Sequence, residues 1–256
     1  MSQELIKIET GIETVEPDQF DSGLDSVGVK PSYVKLVQPT TQKPAGLGEL
    51  FNVGDWIDGE SADVLNKHKF VGLRIESSRI YFPPGGGNTK PICKSDDTVV
   101  PSKFVDTPMA ATCASCQYGR WGKTVEGKAI PPPCGIVKTL LAVDADTMLP
   151  VKISFTKGNI PTVDEFIKSM KKRAMSARAR GVKDADLYSF YFTLGSIKAK
   201  TTANRNATIS YAGDVPVEQI PVFKKYYSLF KYTPEPEIVV DVEEQPVKDA
   251  DLVEEV

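Results

Sequence analysis

The chain contains four cysteines, and all of them fall within one short segment, at Cys93, Cys113, Cys116 and Cys134. Their spacing is C-x19-C-x2-C-x17-C, and the central pair can hold one metal ion from a single tight turn. The two outer cysteines can complete a tetrahedron, and closed four-thiolate sites are usually structural zinc. The pattern therefore predicts a zinc module over residues 90–135, in which the metal fastens a loop-rich segment.

Other chemistries of four cysteines remain open at this point. An iron–sulfur cluster accepts the same four thiolates. Two disulfides would suit a secreted chain, but the first residues lack the apolar stretch of a signal peptide. A redox Cys-x-x-Cys pair needs a helix or βαβ pattern, and none surrounds Cys113. The single histidine, His68, lies between lysines and is interpreted as an exposed loop residue rather than a ligand.

Charge divides the chain into three parts, although the total is only −3. Residues 1–28 carry seven acidic residues and one lysine, and residues 235–256 carry nine acidic residues and one lysine. The body, residues 29–234, therefore has a net charge of +11. Such a basic body suggests a polyanionic partner, most commonly nucleic acid. We expect two disordered acidic arms around one folded domain, with the C-terminal arm either aiding solubility, competing for the basic surface or docking partner proteins.

Hydrophobic alternation and turn residues predict a body built mainly of short strands. In the strand over 70–76, Val71, Leu73 and Ile75 are expected to share one face. Tyr188, Phe190 and Phe192 are expected to share one face of a strand over 187–194. Other strands are predicted at 31–37, 78–82, 135–143, 150–155 and 207–211.

Two helices complete the predicted architecture. The first covers Val163 to Arg180, with Thr162 as its cap and Glu165 completing a capping box. Its predicted apolar stripe consists of Val163, Phe166, Ile167, Met170, Ala174 and Ala177. The second covers Pro216 to Lys231. The fold class is thus mainly β with two helices (α+β), as a small barrel or sandwich that carries the metal module as an insertion. No apolar stretch is long enough to cross a membrane.

Catalytic patterns are sparse in this sequence. One histidine argues against a Ser-His-Asp or Cys-His arrangement. The pairs Asp96/Asp97 and Asp144/Asp146 could bind a divalent metal, but carboxylates in turns more often serve as turn formers. Zinc held by four cysteines leaves no open coordination position for an activated water. The chain is therefore not predicted to be an enzyme.

Cations mixed with aromatic residues are the second informative pattern. Lysine and arginine can neutralise phosphates, and aromatic rings can stack on unpaired bases. No motif for reading duplex DNA is visible, so the pattern favours single strands. The alternative is that the rings are core residues and the cations are solvated. The candidate nucleic-acid-binding residues are Tyr118, Arg120, Trp121, Lys123, Lys172, Arg173, Arg178, Tyr188, Lys198, Lys200 and Arg205.

The basic β-rich body, the Cys113-Ala-Ser-Cys116 knuckle with Cys93 and Cys134, and the acidic C-terminal tail resemble the single-stranded DNA-binding proteins of tailed bacteriophages. The resemblance implies an oligonucleotide-binding (OB) barrel with an inserted zinc subdomain and a tail that recruits replication or recombination proteins. It also implies action in the cytoplasm of a bacterial host. We therefore expect a protein that coats single-stranded DNA with little sequence preference. The alternatives are a zinc-stapled structural or interaction protein and a metal-dependent nuclease that uses the aspartate pairs.

Overall fold

The computed structural model describes residues 30–39, 41, 51–83, 91–103, 105, 108–200 and 202–230. The two acidic arms predicted at 1–28 and 235–256 lie outside these residues. No helix in the described ranges is both long and apolar enough to cross a membrane. The strands are β1 (Ser32–Leu36), β2 (Trp56–Asp58), β3 (Phe70–Tyr81), β4 (Cys93–Ser95), β5 (Gly122–Lys123), β6 (Ala129–Ile130), β7 (Gly135–Asp144), β8 (Pro150–Thr156), β9 (Phe190–Lys198) and β10 (Arg205–Asp214). The α-helices are α1 (Ile160–Ala179) and α2 (Ile220–Phe230).

Eight of these strands form one curled sheet, in the order β10-β9-β3-β7-β8-β1-β2, with β4 pairing the far end of β3. All neighbours are antiparallel except β1 and β8, which run parallel. Strands β5 and β6 form a separate hairpin. The prediction of a mainly β, α+β architecture with a barrel-like sheet is confirmed.

The long strand β3 organises the sheet. It pairs with β7 along nearly its whole length, while its other edge meets β9 at Phe70 and Val71 and β4 at its end. A bulge between Gly72 and Arg74 shifts the register with β7, and such a bulge bends a strand and increases its twist. The expectation that Val71, Leu73 and Ile75 share one face is therefore wrong. Val71 and Leu73 face α2, whereas Ile75 packs into the barrel interior.

The two ends of the curled sheet are joined by side chains rather than by a continuous ladder. The indole Nε1 of Trp56 donates to the Gly195 carbonyl at 2.9 Å. The buried amide of Gln38 donates to the Arg205 carbonyl at 2.9 Å and accepts from the Arg205 N–H at 2.8 Å. These bonds link the segments around β2 to the β9–β10 hairpin, so that the sheet curls around a common interior.

Helix α1 fills this interior with the apolar stripe expected from the sequence. Ile167 is partly buried, and the buried members are Val163, Phe166, Met170, Ala174 and Ala177. The predicted cap is wrong, because the helix begins at Ile160 and Thr162 lies within its first turn. Asn159 holds the N-cap position without a side-chain cap bond; its Oδ1 instead accepts from the Ala207 N–H of β10 at 2.9 Å. The Asn159 side chain, which could have capped the helix, thus joins the helix to the sheet.

Helix α2 covers the outer face of the sheet and begins at Ile220, four residues later than predicted. Its Ile220 and Phe223 pack with Val71, Leu73 and Tyr188. The strand expected over 187–194 begins only at Phe190, because 187–189 form a 3-10 helix capped by Asp186. Tyr188 therefore lies under α2, on the opposite side of the sheet from the buried rings of β9.

Replacing Gln38 by Ala tests the side-chain closure of the sheet. The change leaves one backbone N–H and one carbonyl of Arg205 without their partner, and each unpaired buried group costs about 1–3 kcal/mol. We expect the free energy of unfolding to fall by about 2–4 kcal/mol in urea titrations. Gln117, which is exposed, provides the matched control, and Gln117→Ala should change stability by less than about 0.5 kcal/mol. Equal stability of the two variants would show that this contact does not hold the sheet closed.

Candidate functional site

The cysteine segment leaves the sheet at the end of β3 and returns to it at the start of β7. Cys93 begins β4 and pairs with Tyr81 of β3, while Cys134 directly precedes β7. The outer cysteines are therefore fixed to the sheet. The knuckle is tied to both ends of the segment, because the Cys113 N–H donates to the Val99 carbonyl and the Cys134 N–H donates to the Tyr118 carbonyl, each at 2.9 Å.

All four cysteines line the same pocket, and none of them forms a disulfide. The fold thus brings together residues that the spacing predicted would meet. In the described part of the chain, no three of the thiols lie within 4.8 Å of one another. The pocket therefore gathers the donors without holding them at the close mutual distances of a bound tetrahedron, in which sulfur lies about 2.3 Å from zinc.

Arg79 of β3 lines the same pocket and supplies a positive charge. Its Nε is buried without a hydrogen-bond partner, while its Nη1 lies 3.5 Å from the Gly119 carbonyl. Burial raises the pKa of the Cys134 thiol to about 11, and the guanidinium of Arg79 acts in the opposite direction. A buried N–H donor beside four sulfurs fits a cluster of thiolates, since thiolates are anionic and accept hydrogen bonds. The chemistry of these residues therefore suits a metal held by the four cysteines, whose thiols would have to approach one another to bind it.

The loop between β4 and the knuckle is shaped by Asp97. Its carboxylate accepts from the backbone N–H groups of Val99 and Val100 at 2.7 and 3.0 Å, and these bonds lower its pKa. Asp96 lies 2.8 Å from the ammonium of Lys94. Asp97 therefore has the turn-forming role that the sequence favoured, while Asp96 makes an ion pair with Lys94.

The predicted aromatic and cationic residues that follow the knuckle differ in their exposure. Trp121 is 69% exposed and lies at the start of the β5–β6 hairpin. Lys123 and Arg120 are exposed beside it, although Arg120 also reaches back to the Ala114 and Ser115 carbonyls at 3.4 and 3.5 Å. Tyr118 is half-buried and stacks on Tyr81 with ring centroids 4.6 Å apart. Trp121 is thus the freest ring of the segment for contact with a base.

The predicted residues of α1 are exposed but only partly free. The guanidinium of Arg173 lies 3.8 Å from the ring centre of Tyr211 on β10. Arg178 donates from Nε to the Ala185 carbonyl at 2.7 Å and thereby fastens the segment after the helix. Lys172 is exposed on the same helix. Lys172 and Arg173 therefore present charge to solvent, while Arg178 has a structural contact.

The turn between β9 and β10 carries the remaining cations. Lys198 and Lys200 are exposed, and Arg205 is half-buried beside Gly54. Tyr188 does not join any of these groups, because it is 6% exposed and packs against Tyr227 with ring centroids 5.8 Å apart. Its ring is covered by α2 and is not available for stacking on a base.

The sequence named Asp144/Asp146 as a pair that could bind a divalent metal, but it did not indicate that His68 would join them. His68 is half-buried rather than exposed, and its Nδ1 lies 2.7 Å from the Asp144 carboxylate and 3.9 Å from that of Asp146. These three residues could hold a metal ion. The available signal was the Asp-x-Asp turn, but nothing in the sequence placed it beside a histidine 76 positions away.

The raised pKa of Cys134 predicts its reactivity in metal-free protein. A thiol with a pKa of about 11 is almost wholly protonated at pH 8, and the thiolate is the nucleophile. We expect iodoacetamide to label Cys134 more slowly than Cys116, with a rate that rises about tenfold per pH unit between pH 8 and 10. Mass spectrometry of peptides labelled for increasing times gives both rates. Labelling of Cys134 as fast as Cys116 at pH 8 would contradict the effect of burial.

No protein-family model, characterised protein or solved structure matched this chain in the comparisons. Its function is therefore inferred from the arrangement of its own residues.

Proposed function

We propose that this protein binds single-stranded DNA, largely without sequence preference, and does so without cleaving it. The observation that carries the proposal is the exposed Trp121, flanked by the cations Arg120 and Lys123 at the start of the hairpin between Cys116 and Cys134. An exposed indole beside cations suits a base stacked over a neutralised phosphate. The net charge of +11 over residues 29–234 supplies the general attraction for a polyanion.

The strand connections support an OB-like identity for the barrel. Its central strand β3 pairs with β7 and with β9, β7 pairs with β8, and β9 pairs with β10. Helix α1 lies in the chain between β8 and β9. This order resembles the connectivity of a five-stranded OB barrel in which the helix precedes the fourth strand, and we propose that correspondence here. Strands β1 and β2 are additional and lie beyond β8.

The correspondence with an OB barrel also suggests where DNA would bind. OB barrels bind oligonucleotides on the face of their second and third strands, between the loops that follow their first and fourth strands. Here the loop after the first strand is the cysteine segment with Trp121, and the loop after the fourth strand carries Lys198 and Lys200. We infer that single-stranded DNA passes between these two loops.

Zinc is the metal that we propose for the cysteine pocket, where it has a structural role. Cys93, Cys113, Cys116 and Cys134 are soft donors that suit zinc, and Arg79 would offset the negative charge of a four-thiolate site. Bound zinc would fix the base of the β5–β6 hairpin and hence the position of Trp121. The residues outside the pocket would then bind DNA while the metal holds them in place.

The proposal also implies a cellular role and a class of partner proteins. A protein of this kind would protect single strands during phage DNA replication or recombination in the bacterial cytoplasm. The acidic segment 235–256 would recruit replication or recombination proteins, or compete with DNA for the basic surface.

A second candidate function is protein–protein interaction by a zinc-stapled module. It is favoured by the apolar side chains exposed on the β5–β6 hairpin, where Val125 is fully exposed and Ile130 is 44% exposed beside Trp121. Such a surface also suits a protein partner. Salt separates the two functions, because binding to phosphates weakens steeply with salt whereas burial of apolar surface does not.

The metal proposal predicts one zinc ion per chain in protein purified without chelators. Cys113→Ser should lose the metal and loosen the segment between β4 and β7, while the barrel core remains folded, because structural zinc contributes about 10 kcal/mol or more of binding free energy to small modules. Elemental analysis gives the metal content, and proteolysis locates the loosened segment. Ser115→Ala, between the same two cysteines, should keep the zinc. Purified protein that contains neither zinc nor iron would rule out this site.

The DNA proposal predicts binding to oligo-dT that weakens with salt, with a logarithmic slope of about −0.7 per phosphate contact. Trp121→Ala should weaken binding by about 1–3 kcal/mol if the indole stacks on a base. Val125→Ala, on the same hairpin, is the matched control and should bind as the unmodified protein does. Fluorescence anisotropy gives these affinities.

The same titrations include a blunt duplex and a gel assay for cleavage with magnesium. Equal affinity for duplex and oligo-dT would contradict the proposal, and magnesium-dependent cleavage would identify a nuclease instead.

A further inference from the structure

A second group of metal-ligand side chains lies at the other end of β3. His68 lies just before β3, Asp144 ends β7, and Asp146 follows in the turn to β8. Each offers one ligand atom, and these three atoms all lie within 4.8 Å of one another. Such spacing allows a single ion to reach all three donors without a change of the backbone.

The electrostatics of this group favour a bound cation. The Asp144 side chain is only 4% exposed, and within the described residues its carboxylate makes an ion pair only with the imidazole of His68. The ammonium of Lys69, which follows His68 in the chain, lies over the ring of Tyr191 at 5.7 Å. A buried carboxylate with a second carboxylate nearby is unfavourable unless positive charge compensates both. One neutral or singly charged imidazole does not match two carboxylates.

Backbone hydrogen bonds hold the two segments together independently of any ion. The Asp146 N–H donates to Oδ1 of Asp144 at 2.9 Å, and the Lys69 N–H donates to Oδ2 of Asp146 at 3.3 Å. The Ala145 N–H also donates to the Lys69 carbonyl at 2.8 Å. The donors are thus held close to their positions before a ligand arrives, and little ordering would oppose binding.

We propose that His68, Asp144 and Asp146 bind a divalent transition-metal cation such as Mn²⁺. One imidazole nitrogen with carboxylate oxygens suits such ions, whereas thiolates suit softer ones. Asp146 is 55% exposed and His68 is 28% exposed. The site therefore opens to solvent on one side, where water completes the coordination sphere.

This site is distinct from the cysteine pocket. The two lie beyond opposite ends of β3, which has twelve residues and therefore spans on the order of 35–40 Å. Their donors also differ, with nitrogen and oxygen at one site and four sulfurs at the other. The proposal does not depend on DNA binding or on zinc, and each can fail without the other.

Mn²⁺ titration followed by electron paramagnetic resonance tests the site, because bound Mn²⁺ no longer contributes to the six-line signal of the free ion. The full chain is used with its native metal content. Its cysteines then either hold a metal already or, as soft donors, bind Mn²⁺ only weakly. We expect one Mn²⁺ per chain with a dissociation constant below about 1 mM. Asp146→Asn and His68→Gln should each weaken binding at least about tenfold. Both positions are partly exposed, so these variants avoid the buried Asp144.

Asp63→Asn, which removes an exposed carboxylate elsewhere, should leave Mn²⁺ affinity unchanged. Circular dichroism confirms that each variant is folded. The proposal is overturned by the absence of Mn²⁺ binding up to about 1 mM, or by folded variants of both ligands that bind as tightly as the unmodified protein. In either case the three residues form an ion pair that fastens the turn and nothing more.

Discussion

The pairing of β3 on both of its edges is the constraint on which the rest of the structure depends. One edge follows β7 for almost the whole strand, and the other meets β9 at the beginning and β4 at the end. A strand shared in this way must bend, and the bulge between Gly72 and Arg74 supplies the bend. The twelve residues of β3 separate the cysteine segment at one end of the strand from the segment containing His68 at the other.

Curvature alone does not close the sheet, and the remaining gap is joined by side chains. Trp56 and Gln38 reach the backbone of the β9–β10 hairpin, and Asn159 reaches β10 from the start of α1. These bonds satisfy backbone groups near the sheet edges, which would otherwise be open to pairing with another chain. They also hold the β9–β10 turn, with its cations, in a set position relative to the barrel.

The two groups of ligand side chains differ in chemistry and in burial. The cysteine pocket combines four sulfurs with the buried Nε of Arg79, which suits a soft metal with a closed coordination sphere. The group of His68, Asp144 and Asp146 combines nitrogen and oxygen donors and is partly open to water. If both proposals hold, one ion positions the loop that meets DNA, and a second ion fastens the opposite end of the same strand.

The sequence by itself determined the elements whose signals are local. Period-2 alternation located most strands, and the stripe from Val163 to Ala177 located α1 and its buried face. The spacing of the cysteines correctly indicated that they would meet at one pocket. Each of these features depends either on residues close together in the chain or on a rare residue type, here cysteine.

Only the tertiary structure decided the features that depend on distant partners. The bulge in β3 placed Ile75 on the opposite face from Val71. Helix α1 began before the predicted cap Thr162, and the side chain at its N-cap position, Asn159, accepts a hydrogen bond from β10 instead of capping the helix. Tyr188 became a core residue under α2, and His68 met Asp144 across the β3–β7 pairing. The physical reason is the same throughout, because register, closure and burial depend on which segments pack together, and local sequence patterns do not carry that information.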